Sequence, residues 1–308
     1  MASIDLEKMR QKIKCTQWAL VDFDWESPGA DKITAEQWPK LKTFMADLMW
    51  IEHVGARGFA ALAKSAPTDN LREIYTYFHA EEQRHANAEM ALMKRWGMLD
   101  ENESPVPSAN LRLVIEWLER YADDTPFNLL ATLIPMLEVT LDGALCKYLL
   151  ETVEDPLCHE VFAKINDDES RHLGVGFSVM EMQGKGPHYI AFIEMLGRLL
   201  DPRMMAGALV YFPLLSSMRD NLIAMGMQEE KLYKTMDKFK KIGGRTAQGR
   251  RNPWFQLLHY HGTIMVDRSN HFYHMPVDML VALSNKIPQR LLPSQPGWVA
   301  ELTHKPTA

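Results

Sequence analysis

Two five-residue segments stand out for the chemistry they could do. Residues 81–85 read Glu-Glu-Gln-Arg-His and residues 168–172 read Asp-Glu-Ser-Arg-His, both of the form acid-Glu-x-Arg-His. With 22 Glu and 11 His in 308 residues, chance supplies about 0.8 bare Glu-x-x-His pairs but only about 0.005 copies of the full pattern. A third pair, Glu301 with His304, lacks the preceding acid and the arginine and sits in a polar tail, so it reads as background. Residues three apart on a helix share a face, so Glu82 with His85, and Glu169 with His172, can each grip one metal ion. Such a hard O/N donor set suits iron or manganese, with zinc also compatible.

The elements that must position these motifs are helices. Apolar residues recur every three or four positions along nearly the whole chain, and no alternating strand signal competes. Helices are expected over about 38–64, 70–96, 111–121, 126–153 and 157–182. Turn signals at Pro67-Thr68-Asp69, Gly97 and Asp155-Pro156 separate them, and Pro135 lies inside the fourth. Residues 188–308 read as further helices, broken at Gly243-Gly244 and Asn252-Pro253. In an antiparallel hairpin, positions at equal height straddle the turn symmetrically. Reflecting Glu82 through Pro67 lands on Glu52, and reflecting Glu169 through a turn near 154 lands beside Glu138. Glu52 and Glu138 are 86 residues apart, while the Glu82–Glu169 and His85–His172 separations are both 87. The chain thus carries a pseudo-repeat of two helix pairs, each contributing one Glu and one Glu-x-x-His. Six ligands converge: Glu52, Glu82, His85, Glu138, Glu169 and His172.

This constellation resembles the ferritin-like diiron carboxylate superfamily, and the motifs are similar to those of acyl-carrier-protein desaturases and multicomponent monooxygenase hydroxylases. The resemblance covers about 38–182. It implies an all-α chain, 1–308, with a ferritin-like four-helix bundle core at 38–182, additional N-terminal helices and a helical extension at 188–308. It also implies two iron ions, or a manganese–iron pair. Glu52, Glu82 and His85 would serve one ion and Glu138, Glu169 and His172 the other, with Glu82 and Glu169 bridging. The implied activity is that of a non-haem O2-activating oxygenase or oxidase that hydroxylates or desaturates an apolar or acyl substrate. Two alternatives share the ligands: a ferroxidase or peroxide scavenger, and a non-enzymatic bundle with inherited ligands.

Supporting residues follow from the same template. A metal-bound imidazole donates its second nitrogen to an acceptor, and Asp168 and Glu81 are the candidates. Arg84 is expected to pair with Asp168, and Arg171 with Glu81, across the bundle. Asp142 lies one turn after Glu138, at a place that resembles a proton-handling threonine position of the hydroxylases; as a carboxylate it reads as a proton relay, a hydrogen-bonding support or an exposed acid, and Asp142 and Asp168 are the two candidate catalytic acids. Gly55 and Ala56 leave space beside the metals, and the 20 methionines suit a soft core or an apolar tunnel. Trp50, Tyr75, Tyr77 and Phe78 read as core, His79 as a non-ligand, and His259, His261, His271 and His274 as aromatic packing.

Composition bounds the partners. A formal net charge of −6 and a pI near 6.0 argue against nucleic acid. No iron–sulfur cysteine set or Gly-rich dinucleotide motif is present, so a reductase or ferredoxin must supply electrons. The three cysteines form no CxxC pair, the start has no apolar leader, and the longest apolar run is too short to span a bilayer. A cytoplasmic protein without a membrane span is expected, with a homodimer left open. Residues 238–251 hold six basic side chains and no acid, which reads as a solvated loop or as a docking patch for an acidic partner.

Overall fold

The computed structural model describes residues 5–140, 149–184 and 187–293, and among them the chain is all-helical, without a strand. Four long helices carry the expected ligands. They are α2 (Gln37–Ser65), α3 (Asp69–Arg95), α5 (Phe127–Thr140) and α6 (Pro156–Gln183), preceded by α1 (Leu6–Cys15), with α4 (Ala109–Tyr121) between α3 and α5.

Local chemistry sets their ends. Thr68 caps α3 by accepting from the Leu71 amide at 3.3 Å, and Gly97, at φ +67°, adopts the left-handed conformation that lets the chain leave α3. Asp155 caps α6, with Pro156 at the first position, where a missing N–H costs nothing. The same Asp155 carboxylate is fully buried and also binds Arg95 at 2.9 Å and the Trp96 indole at 2.8 Å, so the start of α6 is tied to the end of α3.

Helix α2 packs along α3 and also against α5, while α6 packs against α5 and α3. Each of the four therefore touches two of the others around a shared interior. The C-terminal helices wrap this group: α7 (His188–Leu199), α8 (Pro202–Ala224), α9 (Glu229–Gly243), α10 (Ala247–Arg251), α11 (Pro253–Val266) and α12 (His271–Ser284). Helices α9 and α11 pack on α5, while α8 packs on α4 and α12. One buried apolar cluster runs from Ile13 to Val266, and Trp50, Tyr75 and Phe78 belong to it as expected, with Tyr77 packed against it. No helix of the described residues is long and apolar enough to cross a membrane.

Candidate metal centre

The four helices bring the six expected ligands together. Ligand atoms of Glu52, Glu82, His85 and Glu169 lie within 4.8 Å of one another, as do those of Glu82, Glu138, Glu169 and His172. Glu82 and Glu169 belong to both groups, the pattern expected of bridging carboxylates. All six side chains are buried.

The imidazoles are held in one orientation. His85 Nε2 lies 3.0 Å from Asp168 Oδ2, and His172 Nε2 lies 3.0 Å from Glu81 Oε2, so each ring donates outward to an acid. That arrangement leaves both Nδ1 atoms facing the carboxylates as lone-pair donors. Ring packing fixes the planes: Trp18 stacks on His85 at 6.2 Å, and Phe59 and Phe78 enclose His172 at 5.0 and 4.1 Å. His85 Nδ1 comes within 3.2 Å of Glu169, and His172 Nδ1 within 3.1 Å of Glu82. These contacts are not aligned as hydrogen bonds. Both Nδ1 atoms, and both oxygens of Glu138 and of Glu169, are buried without a hydrogen-bond partner. Buried polar atoms are seldom left so, and six of them converging is the arrangement a bound cation satisfies.

Charge points the same way. Four ligand carboxylates bring four negative charges into the interior, and two divalent ions would neutralise them. Outside them, Glu81 and Asp168 face two arginines, so the outer layer is balanced by itself. Without cations the proton has to compensate. Burial and the charges of Glu169 and Glu52 push the Glu82 carboxyl well up, and burial raises Glu138 to about 7. Glu169 goes the other way: burial pushes it up, but His172 and His85 outweigh burial and hold it at about 2. Burial likewise opposes charge on His85 and His172, yet the surrounding acids raise both well above the usual imidazole range. The carboxylates and imidazoles thus share protons in the place two cations would fill.

The expected acceptors are in place, and the arginines pair more broadly than expected. Arg171 reaches Glu81 at 3.2 Å and also binds Asp168, one turn away on its own helix. Arg84 lies 3.9 Å from each acid and finds its closest partner in Gln17, at 2.9 Å. Gln17 and Trp18, on the chain just after α1, were not anticipated. Gln17 donates to Glu81 at 2.6 Å, Trp18 donates to Asp168 at 2.8 Å, and the Arg84 guanidinium lies 4.9 Å over the Trp18 ring. Asp168 orients His85 and is not among the described residues that line the cavity beside the carboxylates. Asp142 lies outside the described residues.

Glu89 was also missed. It follows His85 by one turn, is fully buried, and has neither oxygen hydrogen-bonded. Burial and the nearby Glu52 push its carboxyl well above the ordinary range, which disfavours its charged form. Its i,i+4 relation to His85 was the available signal. His79 bonds the Ala56 carbonyl at 2.8 Å and stays outside the cluster. His261 pairs with the Tyr273 hydroxyl at 2.9 Å, and His274 with the backbone carbonyl of Asp267 at 2.9 Å. Neither joins a metal-type cluster among the described residues.

One side of the site is open. A cavity of about 450 Å3 is lined by Glu52, Glu82 and Glu138 together with mostly apolar side chains, chiefly from α2, α4, α5, α8 and α11, with Thr125, His261 and Tyr273 among the polar ones. Among the described residues, no Lys, Arg or Asp lines it. Gly55 forms part of its wall, and a Cβ there would stand 3.0 Å from Glu82 Cδ and closer still to Oε2. The space expected beside Gly55 is thus occupied partly by the Glu82 carboxylate. Pro135 has its own clearance, since a Cβ at Gly176 would overlap its ring. Comparisons of the chain with protein-family models, curated proteins and solved structures return no significant match.

Proposed function

We propose that this protein is a non-haem O2-activating oxygenase or oxidase with two iron ions, built on a ferritin-like four-helix core of α2, α3, α5 and α6, and acting on an apolar organic substrate. The observation that carries the reading is the junction of two features. Two Glu/His clusters share Glu82 and Glu169, and three of their carboxylates line an apolar cavity. A site for iron storage or peroxide removal has no use for such a cavity, whereas a small organic molecule fits one of this size.

Glu52, Glu82 and His85 would hold one ion and Glu138, Glu169 and His172 the other. A reduced iron pair bound there supplies O2 activation strong enough to oxidise an unactivated C–H bond. The chain's own part is positioning. Asp168 and Glu81 keep the Nε2 protons and so leave Nδ1 free to ligate. Arg84 and Arg171 lie against those acids and balance their charge. The apolar wall excludes water and orients the substrate against the Glu52–Glu82–Glu138 face. With no Lys or Arg in the wall among the described residues, the cavity selects a neutral apolar body over an anionic group. Electrons come from a separate reductase or ferredoxin.

The test is metal content per chain after anaerobic loading, followed by chemical reduction and O2 uptake with and without an apolar substrate. Two ions per chain, lost in Glu82→Ala and Glu169→Ala but kept in Glu301→Ala, together with substrate-dependent O2 uptake, is the expected result. Rapid uptake with Fe2+ alone and no organic product would favour the ferroxidase reading. A chain that takes up no transition metal would overturn both.

A further inference from the structure

Helix α7 is exposed nearly all round although its sequence is apolar. Ile190, Phe192, Ile193, Leu196, Leu199 and the following Leu200 all face outward, with Ile193 63% and Leu200 77% exposed, and only Met195 is buried. The first turns of α8 continue the surface through Met205 and Leu209. A contiguous apolar surface of this kind marks an interaction site.

Two further observations say what covers it. The basic segment 238–251 adjoins α7, for His188 in its first turn bonds the Arg251 carbonyl at 2.7 Å. Lys238, Lys240, Lys241, Arg250 and Arg251 are exposed there with no carboxylate partner among the described residues, and Arg245 pairs with Glu181. The cavity also reaches the surface at this face: Leu199 and Tyr260 are both exposed and line it, and Met204, Gly207 and Ala208 line it from α8.

We infer that α7, the start of α8 and the basic segment form a docking face for an anionic lipid bilayer, with α7 lying in the interface and the cavity opening toward the lipid. An apolar helix beside a cluster of lysines and arginines is the combination that binds such a surface: the side chains enter the acyl boundary and the cations meet the headgroups. A second copy of the chain fits less well. A two-fold contact over this face would bring like charges close together and cover the cavity mouth. The docking argument rests on the surface alone. Its use, delivery of an apolar substrate without passage through water, rests on the proposed function.

The test is co-sedimentation of the full chain with vesicles of phosphatidylcholine alone and of phosphatidylcholine with an equal part of phosphatidylglycerol. Binding to the anionic vesicles that weakens with salt is expected, with little binding to the neutral ones. Lys240→Gln with Lys241→Gln should lower partitioning by about thirtyfold, and Phe192→Ser with Ile193→Ser by at least about tenfold. All four positions lie on the surface, and circular dichroism checks that the variants stay folded. Equal binding to both vesicle types, or to neither, would overturn the inference. So would a concentration-dependent dimer, abolished by the Phe192 and Ile193 changes, in a chain that ignores vesicles. Metal content is measured on the same preparations. A chain that binds anionic vesicles but no metal keeps the docking face and loses the proposed function.

Discussion

Replacing Gly55 with alanine tests the metal centre by adding a single methyl group. In a helix interior this exchange ordinarily stabilises, by about 1 kcal/mol. Here the new Cβ would stand 3.0 Å from Glu82 Cδ and nearer to Oε2. To reach van der Waals contact, that oxygen has to retreat by roughly 1 Å. The end of a glutamate side chain can move at little cost, so the fold should survive with a melting temperature close to that of the wild type. A ligand bond cannot absorb the shift, since ligand distances hold to about 0.2 Å. Because Glu82 belongs to both clusters, its displacement weakens both sites, and affinity should fall by at least about a hundredfold. The assay is equilibrium metal binding, with stoichiometry read by elemental analysis. Gly58→Ala, one turn on, is the control. Its Cβ would meet only the Ile134 side chain, with Cδ1 at 3.1 Å, and two ions should still bind. Two ions bound by Gly55→Ala with wild-type affinity would refute the placement of Glu82 between the two sites.

Asp168→Asn keeps the shape but removes the charge that holds the His85 Nε2 proton; metal affinity should drop by about ten- to a hundredfold, and an unchanged binding isotherm would remove Asp168 from the site's support. Metal uptake should release protons, more of them below the Glu138 value of about 7 than above it, because ligation needs its carboxylate bare. Calorimetry in buffers of different ionisation enthalpy measures the release, and equal release on both sides of that pH would contradict the prediction. In the metal-free chain the raised Glu138 holds a proton that the unfolded chain gives up, so its contribution to stability falls as pH rises from 4.5 to about 7. Denaturant titrations of wild type and Glu138→Gln across that window should show a shallower fall in the variant, by up to one proton's worth of slope. Asp155→Ala removes the α6 cap and leaves the buried Arg95 charge with only the Trp25 and Ser27 carbonyls for partners, a loss of about 3–5 kcal/mol by chemical denaturation; a change under about 1 kcal/mol would show that the pair contributes like an exposed one.

What could be read from the sequence followed helical geometry. The period of the helix and the symmetry of a hairpin were enough to place Glu52 against Glu82 and Glu138 near Glu169, because a three-residue turn between α2 and α3 leaves little freedom in register. Asp168 and Glu81 could be named for the same reason, as each precedes a ligand on a face already known. Gln17 and Trp18 could not. Trp18 meets Asp168 across 150 positions, and nothing periodic in a short segment after α1 says which helix end it crosses. Glu89 continued the His85 face but broke no pattern, and only its burial without a partner marks it. The cavity is legible in no single segment, since its wall draws on α2, α4, α5, α8 and α11 at once. The basic run 238–251 was visible from the outset. Its neighbour α7 was not, because an apolar helix predicts burial and only the packing shows that α7 lacks it.

The two sides of the centre differ, and the difference constrains any chemistry assigned to it. Behind the imidazoles lies a closed polar layer: Asp168 with Trp18 and Arg171, Glu81 with Gln17 and Arg171, and Arg84 between them. Its donors and acceptors are engaged mostly with one another, so moving one group means breaking several bonds, and the ligand orientation it sets is stiff. In front, Glu52, Glu82 and Glu138 border apolar space, where a carboxylate can swing without losing a protein hydrogen bond. Changes of coordination should therefore fall on the cavity side, and the imidazoles should stay fixed. An apolar molecule in that space would also crowd the movable carboxylates. On the proposed reading, substrate binding and ligand geometry would then be coupled through Glu82 and its neighbour Gly55.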